Sequence, residues 1–235
     1  MKIVFVADGH LKGPEDPNQI KFVQFLDKLT SVNALVVLGD LFEFWTGSND
    51  VVYRNYLPVL EGLARLKSRG ADIIYLEGNH DFSMGSFFKE KLKAGVYPDS
   101  CEYRIDGKRF LLLHGDTVSM TFGYSLWRSF LRSIFFRLIA RALTPNVVWR
   151  IAMRLSSKSR KYNNKDGGGD TDRKLRDFAG KILASGLDGV ICAHSHIAAV
   201  NKEKSGIYAN PGSWAGEKSH LIYENGAFRI EKFKE

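Results

Sequence analysis

Five short apolar runs in this chain each end directly in residues able to ligate metals, and that repetition constrains the fold more than any other feature. Ile3 to Ala7 runs into Asp8, Gly9 and His10, and Ala34 to Leu38 into Gly39 and Asp40. Ile73 to Leu76 leads to Gly78, Asn79, His80 and Asp81. Phe110 to Leu113 leads to His114, Gly115 and Asp116, and Val190 to Ala193 to His194, Ser195 and His196. Five of the six histidines fall in these tips, and the sixth, His220, sits in a strand-like segment with no ligand role. A continuous apolar run reads as a strand buried on both faces. The carboxyl ends of such strands are where open α/β sheets gather their chemistry. A single histidine of this kind reads as readily as a satisfied half-buried imidazole, and Asn or Asp in a loop often bonds only its own backbone. Five such tips in one chain read as one site.

Asp, Asn and His offer hard oxygen and borderline nitrogen donors without a thiolate, a mixture suited to manganese, iron, zinc or magnesium. Seven candidate ligands exceed what one ion needs and fill two adjacent sites if one Asp is shared.

Between the first strands, Asp16 and Pro17 mark a helix start, with Ile20, Val23, Leu26 and Leu29 at helical spacing. Residues 51 to 68 repeat that spacing at Tyr53, Leu57, Leu60 and Leu63. This βαβαβ rhythm predicts right-handed crossovers and a parallel half sheet. The apolar loop Leu41 to Trp45 reads as core before recognition surface. In the second half, Asp106-Gly107 and Asn225-Gly226 are hairpin turns. Short strands at Ala198 to Val200, Gly206 to Ala209, His220 to Tyr223 and Phe228 to Phe233 suggest an antiparallel second sheet. The expected architecture is α/β, a four-layer α/β/β/α sandwich of two mixed sheets with a helical lid insertion. One domain over residues 1–235 accommodates it, with Asn210-Pro211-Gly212-Ser213 as a turn placed to close the back of the site.

The net charge of +8 has one source. Residues 120–165 carry ten Lys or Arg and no acid, leaving 24 basic and 26 acidic residues elsewhere. The same stretch holds Trp127, Leu131, Ile134 and Leu138 on one helical face, while Arg128, Arg132, Arg137 and Arg141 recur beside them. Thr144-Pro145 predicts a break into a second helix near 146 to 160. Apolar runs here stay short of the about 20 residues a bilayer span needs. Three readings compete: a helical hairpin with solvated arginines, a nucleic-acid face, and a membrane-interfacial lid whose apolar side accepts acyl chains. Bulky apolar residues in this abundance exceed what phosphate tracking needs, so the lid leads and nucleic acid comes last. Cys101 and Cys192 lack metal-type spacing and read as two reduced thiols. With strand residues beginning at Ile3, the chain shows no cleavable leader, and a cytoplasmic protein is expected.

The order Asp8-x-His10, Gly39-Asp40, Gly78-Asn79-His80-Asp81, His114 and His194-x-His196 resembles the calcineurin-like metallophosphoesterase superfamily, from Ile3 to around Ser213. The resemblance implies one metal held by Asp8, His10, Asp40 and His196, and a second by Asp40, Asn79, His114 and His194, with Asp40 bridging. It makes His80 the non-ligand histidine facing the scissile phosphate and Asp81 the residue that orients it. Two divalent ions are implied, manganese first. The helical insertion after the His114 motif, and the run Gly39 to Trp45, are similar to the UDP-2,3-diacylglucosamine pyrophosphatase branch of lipid A biosynthesis. That branch carries Arg in the place of His80. The resemblance implies a lipid-linked nucleotide substrate, with a broad phosphodiesterase or phosphatase acting on nucleotides or phosphoproteins as the alternative. It also implies peripheral contact with the inner face of the cell membrane through residues 120–165. Tyr124, Ser159, Asn163 and Lys165, with Asn79 and His80, are candidate substrate contacts, and Gly167 to Gly169 reads as the return from the lid. The oligomeric state is left open.

Overall fold

Strand β1 (Lys2–Val6) shows why the hydrophobic core lies on both sides of one sheet, because consecutive side chains on a strand point to opposite faces. Val4 and Val6 pack outward with helices, while Ile3 and Phe5 point inward toward a second sheet, all fully buried. A computed structural model describes residues 1–46, 50–85, 87–118, 120, 122–133, 135, 147 and 168–234. In chain order, α1 (Pro17–Lys28), β2 (Ala34–Leu38), β3 (Trp45–Thr46), α2 (Asp50–Ser68), β4 (Asp72–Leu76), β5 (Asp81–Phe82) and β6 (Gly95–Tyr97) follow. Next come β7 (Ser100–Ile105), β8 (Lys108–Leu113), α3 (Phe122–Leu131), α4 (Gly169–Ala184) and β9 (Gly189–Ile191). The chain closes with β10 (Ala199–Glu203), β11 (Gly206–Asn210), α5 (Trp214–Glu217), β12 (Ser219–Glu224) and β13 (Ala227–Lys232).

Two mixed sheets face each other, ordered β13-β12-β1-β2-β4-β6 and β10-β11-β9-β8-β7. The apolar layer between them includes Phe5, Val36, Leu38, Phe110, Leu112 and Ile191. Helices α1 and α2 cover the first sheet, and α4 covers the second through Leu175, Ala179 and Leu183. The four-layer sandwich expected from the sequence is therefore present. Strands β1, β2 and β4 run parallel, as do β8 and β9, so the five tips leave their sheets in common directions.

The second sheet corrects an expectation. It is not antiparallel throughout, since β8, β9 and β11 are parallel neighbours and only β7 and β10 at its edges run against them. Strands β12 and β13 belong to the first sheet, with Ile3 opposite Tyr223 and Phe5 opposite Leu221. The alternation of β12, Leu221 and Tyr223 inward and Ile222 outward, matches a sheet with apolar layers on both faces. Both hairpin turns stand, with Asp106, Gly107, Asn225 and Gly226 all at positive φ, the geometry of a two-residue type I′ turn.

Helix α1 begins as expected, with Asp16 accepting from the Asn18 N–H and Pro17 in the first turn. Of the expected positions, Leu26 and Leu29 are buried and Val23 packs against the core, and only Ile20 departs. Phe22, Phe25 and Leu26 are inside, while Ile20 is 47% exposed. Phe22 and Phe25 lie against Trp214, with ring centroids 5.0 and 4.9 Å away, and Phe25 also meets Phe233. Those partners come from the far end of the chain, which helical spacing alone does not reveal. In α2, Leu60 and Leu63 are buried and Tyr53 packs against the core as expected, with Tyr56 and Val59 buried beside them, while Leu57 is half exposed. Leu41 to Trp45 is core, as expected. Cys101 and Cys192 are free thiols. Among the described residues no helix is long and apolar enough to cross a membrane. The helix expected near 146 to 160 lies outside the described residues.

Phe22 seats α1 on Trp214, whose backbone N–H in turn bonds the carbonyl of Ala7 at the first tip. Truncating a buried Phe leaves a cavity worth about 3–5 kcal/mol. Phe22→Ala should therefore lower the unfolding free energy by about 3–5 kcal/mol in urea titration.

Candidate metal centre

At the tips the backbone itself is unusual. Asp8, His10, Asp40, His194 and His196 all have φ between 43° and 68°, a left-handed conformation uncommon outside glycine. Surrounding hydrogen bonds hold it. Asp8 N–H donates to Gly39 at 3.2 Å, and His10 N–H to the Asp40 carbonyl at 3.0 Å. The Asp8 carbonyl accepts from Ala215 N–H and from the Ser213 hydroxyl, each at 3.0 Å. The turn Asn210 to Ser213 therefore does back the first tip. It backs the fifth as well, since the Asn210 amide donates to the Ala193 carbonyl and to Ser195 Oγ. Two glycines permit the tips to meet: a Cβ on Gly78 would run into the Asp40 carboxylate, and one on Gly39 would lie 2.7 Å from His114 Nδ1.

These turns bring the seven candidate ligands together in two adjacent groups. Asp8, His10 and His196 offer donor atoms within 4.8 Å of one another, and so do Asp40, His114 and His194. Asp8 Oδ1 and His196 Nε2 are 3.3 Å apart. In the second group His114 Nε2 lies 3.5 Å from Asp40 Oδ2, 3.2 Å from His194 Nδ1 and 3.3 Å from Asn79 Oδ1. A third combination, His10, Asp40 and His80, links the two groups, sharing His10 with the first and Asp40 with the second. His220 takes no part. It is buried against Phe25 with Nε2 3.8 Å from Glu231.

Outer contacts fix which ring nitrogen faces the centre. His114 Nδ1 lies 2.7 Å from the Leu38 carbonyl, so it carries a hydrogen there and Nε2 is the nitrogen turned toward Asp40. His80 Nδ1 likewise meets the Glu43 carbonyl at 3.1 Å, and its Nε2 lies 4.0 Å from Asp40 Oδ2. Asp81 has a place different from the one expected. Its carboxylate accepts from Gly78 N–H, Asp40 N–H, Phe42 N–H and the Tyr75 hydroxyl at 3.0, 2.9, 3.2 and 2.5 Å. It fastens the second tip to the third, and the group on the His80 ring is the Glu43 carbonyl. Glu43 is the residue that sequence reasoning passed over. It is fully buried, its carboxylate 3.9 Å from His10 Nδ1. The available signal was a lone acid inside Leu41-Phe42-Glu43-Phe44-Trp45.

Electrostatics sort the cluster into charged and neutral members. Burial pushes Asp40 up, but the charges of His114 and His80 outweigh it and hold the carboxyl well below its usual range. Burial likewise works against His114⁺, yet Asp40 raises it well above an ordinary imidazole. The Asp8 charge raises His196. Burial depresses His10 to about 3 and, with His114⁺ beside it, His194 to about 4. Burial and the neighbouring Asp40 charge lift Asp81 to about 7.

The donor set fits divalent ions. Asp8 Oδ1 and His10 Nδ1 are buried with no aligned hydrogen-bond partner among the described residues. His114 Nε2 and His194 Nδ1 lie 3.2 Å apart, a placement in which a cation can replace the proton held between them. Asp8, His10, Asp40 and His196 would hold one ion, and Asp40, Asn79, His114 and His194 the other. Tyr124 lies on α3, but its side chain, together with Ser159, Asn163 and Lys165, is outside the described residues.

The family profile described as calcineurin-like phosphoesterase matches residues 1–198. A UDP-2,3-diacylglucosamine hydrolase of Psychromonas ingrahamii is 32% identical, over 71% of this chain and 70% of its own. The enzyme of that name from Aeromonas salmonicida is 29% identical, over 99% of this chain and 93% of its own. Among solved structures, an archaeal phosphodiesterase superposes with a TM-score of 0.53 at 17% identity, covering 99% of this chain and 100% of that one.

Metal binding must displace the protons that Asp40 and Asp8 favour on His114 and His196. Manganese affinity, measured by calorimetry, should therefore rise with pH above the ordinary imidazole range and fall below it. At 100 times its dissociation constant, manganese should stabilise the fold by about 2.7 kcal/mol. Asp40→Ala should abolish that stabilisation and the phosphoesterase activity together.

Proposed function

The chain belongs to the calcineurin-like phosphoesterase family, a metal-dependent hydrolase of phosphorus esters, and on that premise we propose that it cleaves the diphosphate of a lipid-linked nucleotide of the UDP-2,3-diacylglucosamine kind. The observation that carries the proposal is the solvent face of the insertion. Leu126, Phe130 and Phe135 are 56, 42 and 70% exposed, and Met120 just before them is 39% exposed. Large apolar side chains turned outward together mark an interaction site rather than a core. Arg132, directly after that helix, reaches the Gly78 carbonyl, next to Asn79. An apolar surface beside a phosphoryl-transfer centre suits a substrate with acyl chains and a diphosphate, delivered from a membrane surface. The similarity to UDP-2,3-diacylglucosamine hydrolases over most of the chain supports the same substrate class.

Two divalent ions, manganese first, would neutralise the phosphoryl oxygens and lower the pKa of bound water toward about 7. Protein groups do the rest. Asp40 sits between the two ligand groups and keeps them in register. Asp81 and Tyr75 hold the Asp40 and Asn79 loops against each other. The Glu43 carbonyl can only accept, so His80 Nδ1 keeps its hydrogen and Nε2 is the atom turned toward Asp40. Donation from Nε2 to a phosphoryl or leaving oxygen then uses the imidazolium form.

With manganese, the purified protein should hydrolyse a UDP-diacylglucosamine lipid in mixed micelles, with rates that depend on the lipid's surface concentration. Turnover confined to water-soluble nucleotides, indifferent to micelles, would instead favour a broad phosphodiesterase or phosphatase. His80→Ala should lower kcat by about 100- to 10,000-fold while manganese affinity stays unchanged. A parallel loss of metal would make His80 a ligand.

A further inference from the structure

We propose that Arg128 and Arg132 are positioning residues that dock the first helix of the insertion onto the metal-ligand loops by charge, and so set the affinity for the apolar part of the substrate. The inference rests on the lipid-linked reading for its kinetic consequence, and on geometry for the docking itself.

Arg128 on α3 and Arg132, which follows the helix's last residue and still donates its N–H to the Arg128 carbonyl at 3.1 Å, are four residues apart and share a face. Leu126 and Phe130 are also four apart but offset from them by two residues, about 200° around the helix. The helix thus turns its arginines inward and its exposed apolar pair outward. Arg128, 16% exposed at its side chain, bonds Asp99 Oδ1 at 2.6 Å and the Pro98 carbonyl at 3.2 Å. Its Nε lies 3.3 Å from Asp116 Oδ2. Arg132, 19% exposed, places one nitrogen 3.1 Å from the Pro98 carbonyl. Its other nitrogen lies 3.5 Å from both Glu77 Oε2 and the Gly78 carbonyl.

Those partners are the flanks of the ligand loops. Glu77 and Gly78 lead into Asn79, and Asp116 stands two residues beyond His114. Both loops supply donors to the second ligand group. Counter-charges of this kind can come only from outside the insertion, because residues 120–165 contain no acid. Leu131, partly buried, adds an apolar contact to the outer core of the first sheet. The competing reading of a hairpin with solvated arginines does not fit Arg128 and Arg132, 16 and 19% exposed. A contact of this composition is held mainly by ion pairs and carbonyl bonds. It should weaken as salt shortens the screening length, about 8 Å at physiological strength.

The test is the double variant Arg128→Ala/Arg132→Ala, with Arg128→Lys/Arg132→Lys as the conservative control. Hydrogen–deuterium exchange should accelerate at the amides of α3, while exchange in the strands and manganese affinity stay as in the wild type. KM for the UDP-diacylglucosamine lipid in mixed micelles should rise on the order of tenfold, a change equal to about 1.4 kcal/mol. Turnover of bis(p-nitrophenyl) phosphate, which has no acyl chains, should be unchanged. The lysine variant should recover part of the protection, because the charge is kept and the guanidinium fork is lost. Unchanged exchange at α3 would overturn the docking. Equal losses on both substrates, or loss of manganese, would overturn the positioning role and make the pairs supports of the centre itself. Should the wild-type protein leave the lipid untouched, the substrate reading fails, and the exchange measurement alone decides whether the arginines dock the helix.

Discussion

The Asp81 carboxylate is the point on which the rest of the centre depends. Three backbone N–H groups and the Tyr75 hydroxyl converge on its two oxygens, from the tip of β2, the tip of β4 and β4 itself. A buried carboxylate surrounded by donors is costly to form and specific once formed, because its loss would take a shared acceptor from buried donors of three segments. Its effect is to set Asp40 and Asn79 at a fixed separation. The His80 N–H then closes the arrangement by donating to Asp40 Oδ1 at 2.8 Å. Asp40 is therefore held in one orientation beside His10, His80, His114 and His194.

That constraint explains the left-handed backbone at five candidate ligands. Two packed sheets with parallel strands deliver chain ends to a common edge, but continuing strands would carry the side chains past one another. A single residue at positive φ turns the chain sharply and aims its side chain back across the edge. Hydrogen bonds between tips, including Ala193 N–H to the His114 carbonyl and His194 N–H to Asp8 Oδ2, stabilise conformations that the isolated residues disfavour. A buried network adds to this behind the fifth tip. Asp172 on α4 accepts from the Tyr208 hydroxyl at 3.2 Å and faces Ser195 Oγ at 3.4 Å, while Arg176 bonds its other oxygen. A Cβ on Gly168, immediately before α4, would collide with the Ser195 carbonyl. The chain thus returns from the insertion in contact with the loop that bears His194 and His196.

At its other end the insertion is joined to the body through α3. Helix amphipathicity ordinarily directs apolar residues to the protein and charge to water. At α3, Arg128 and the following Arg132 point to the protein, because the acidic groups of the body lie at its loops. Exposed Leu126 and Phe130 are the complement of that choice. Binding geometry and solvent-facing chemistry of the insertion are thus set by one distribution of charge, ten cations in the insertion against a slightly acidic remainder.

What the sequence determined by itself was local and periodic. Continuous apolar runs made strands buried on both faces, Asp16-Pro17 started a helix, Asp106-Gly107 and Asn225-Gly226 made hairpins, and the tip residues named seven donors of one chemical kind. These follow from bonds and spacings within a few residues. Tertiary structure alone decided the rest, for reasons of distance along the chain. Trp214 and Phe233 chose Phe22 and Phe25 over Ile20 as the inner face of α1. Strands β12 and β13 crossed to the first sheet because β1 offered an edge with apolar layers on both sides. Asp81 bound loops instead of an imidazole because its donors come from three separate segments, and Glu43 reached His10 and His80 only once two tips were side by side. Period and propensity act over one turn or one strand, whereas a metal centre is defined by atoms that approach within a few ångströms from residues 8 to 196.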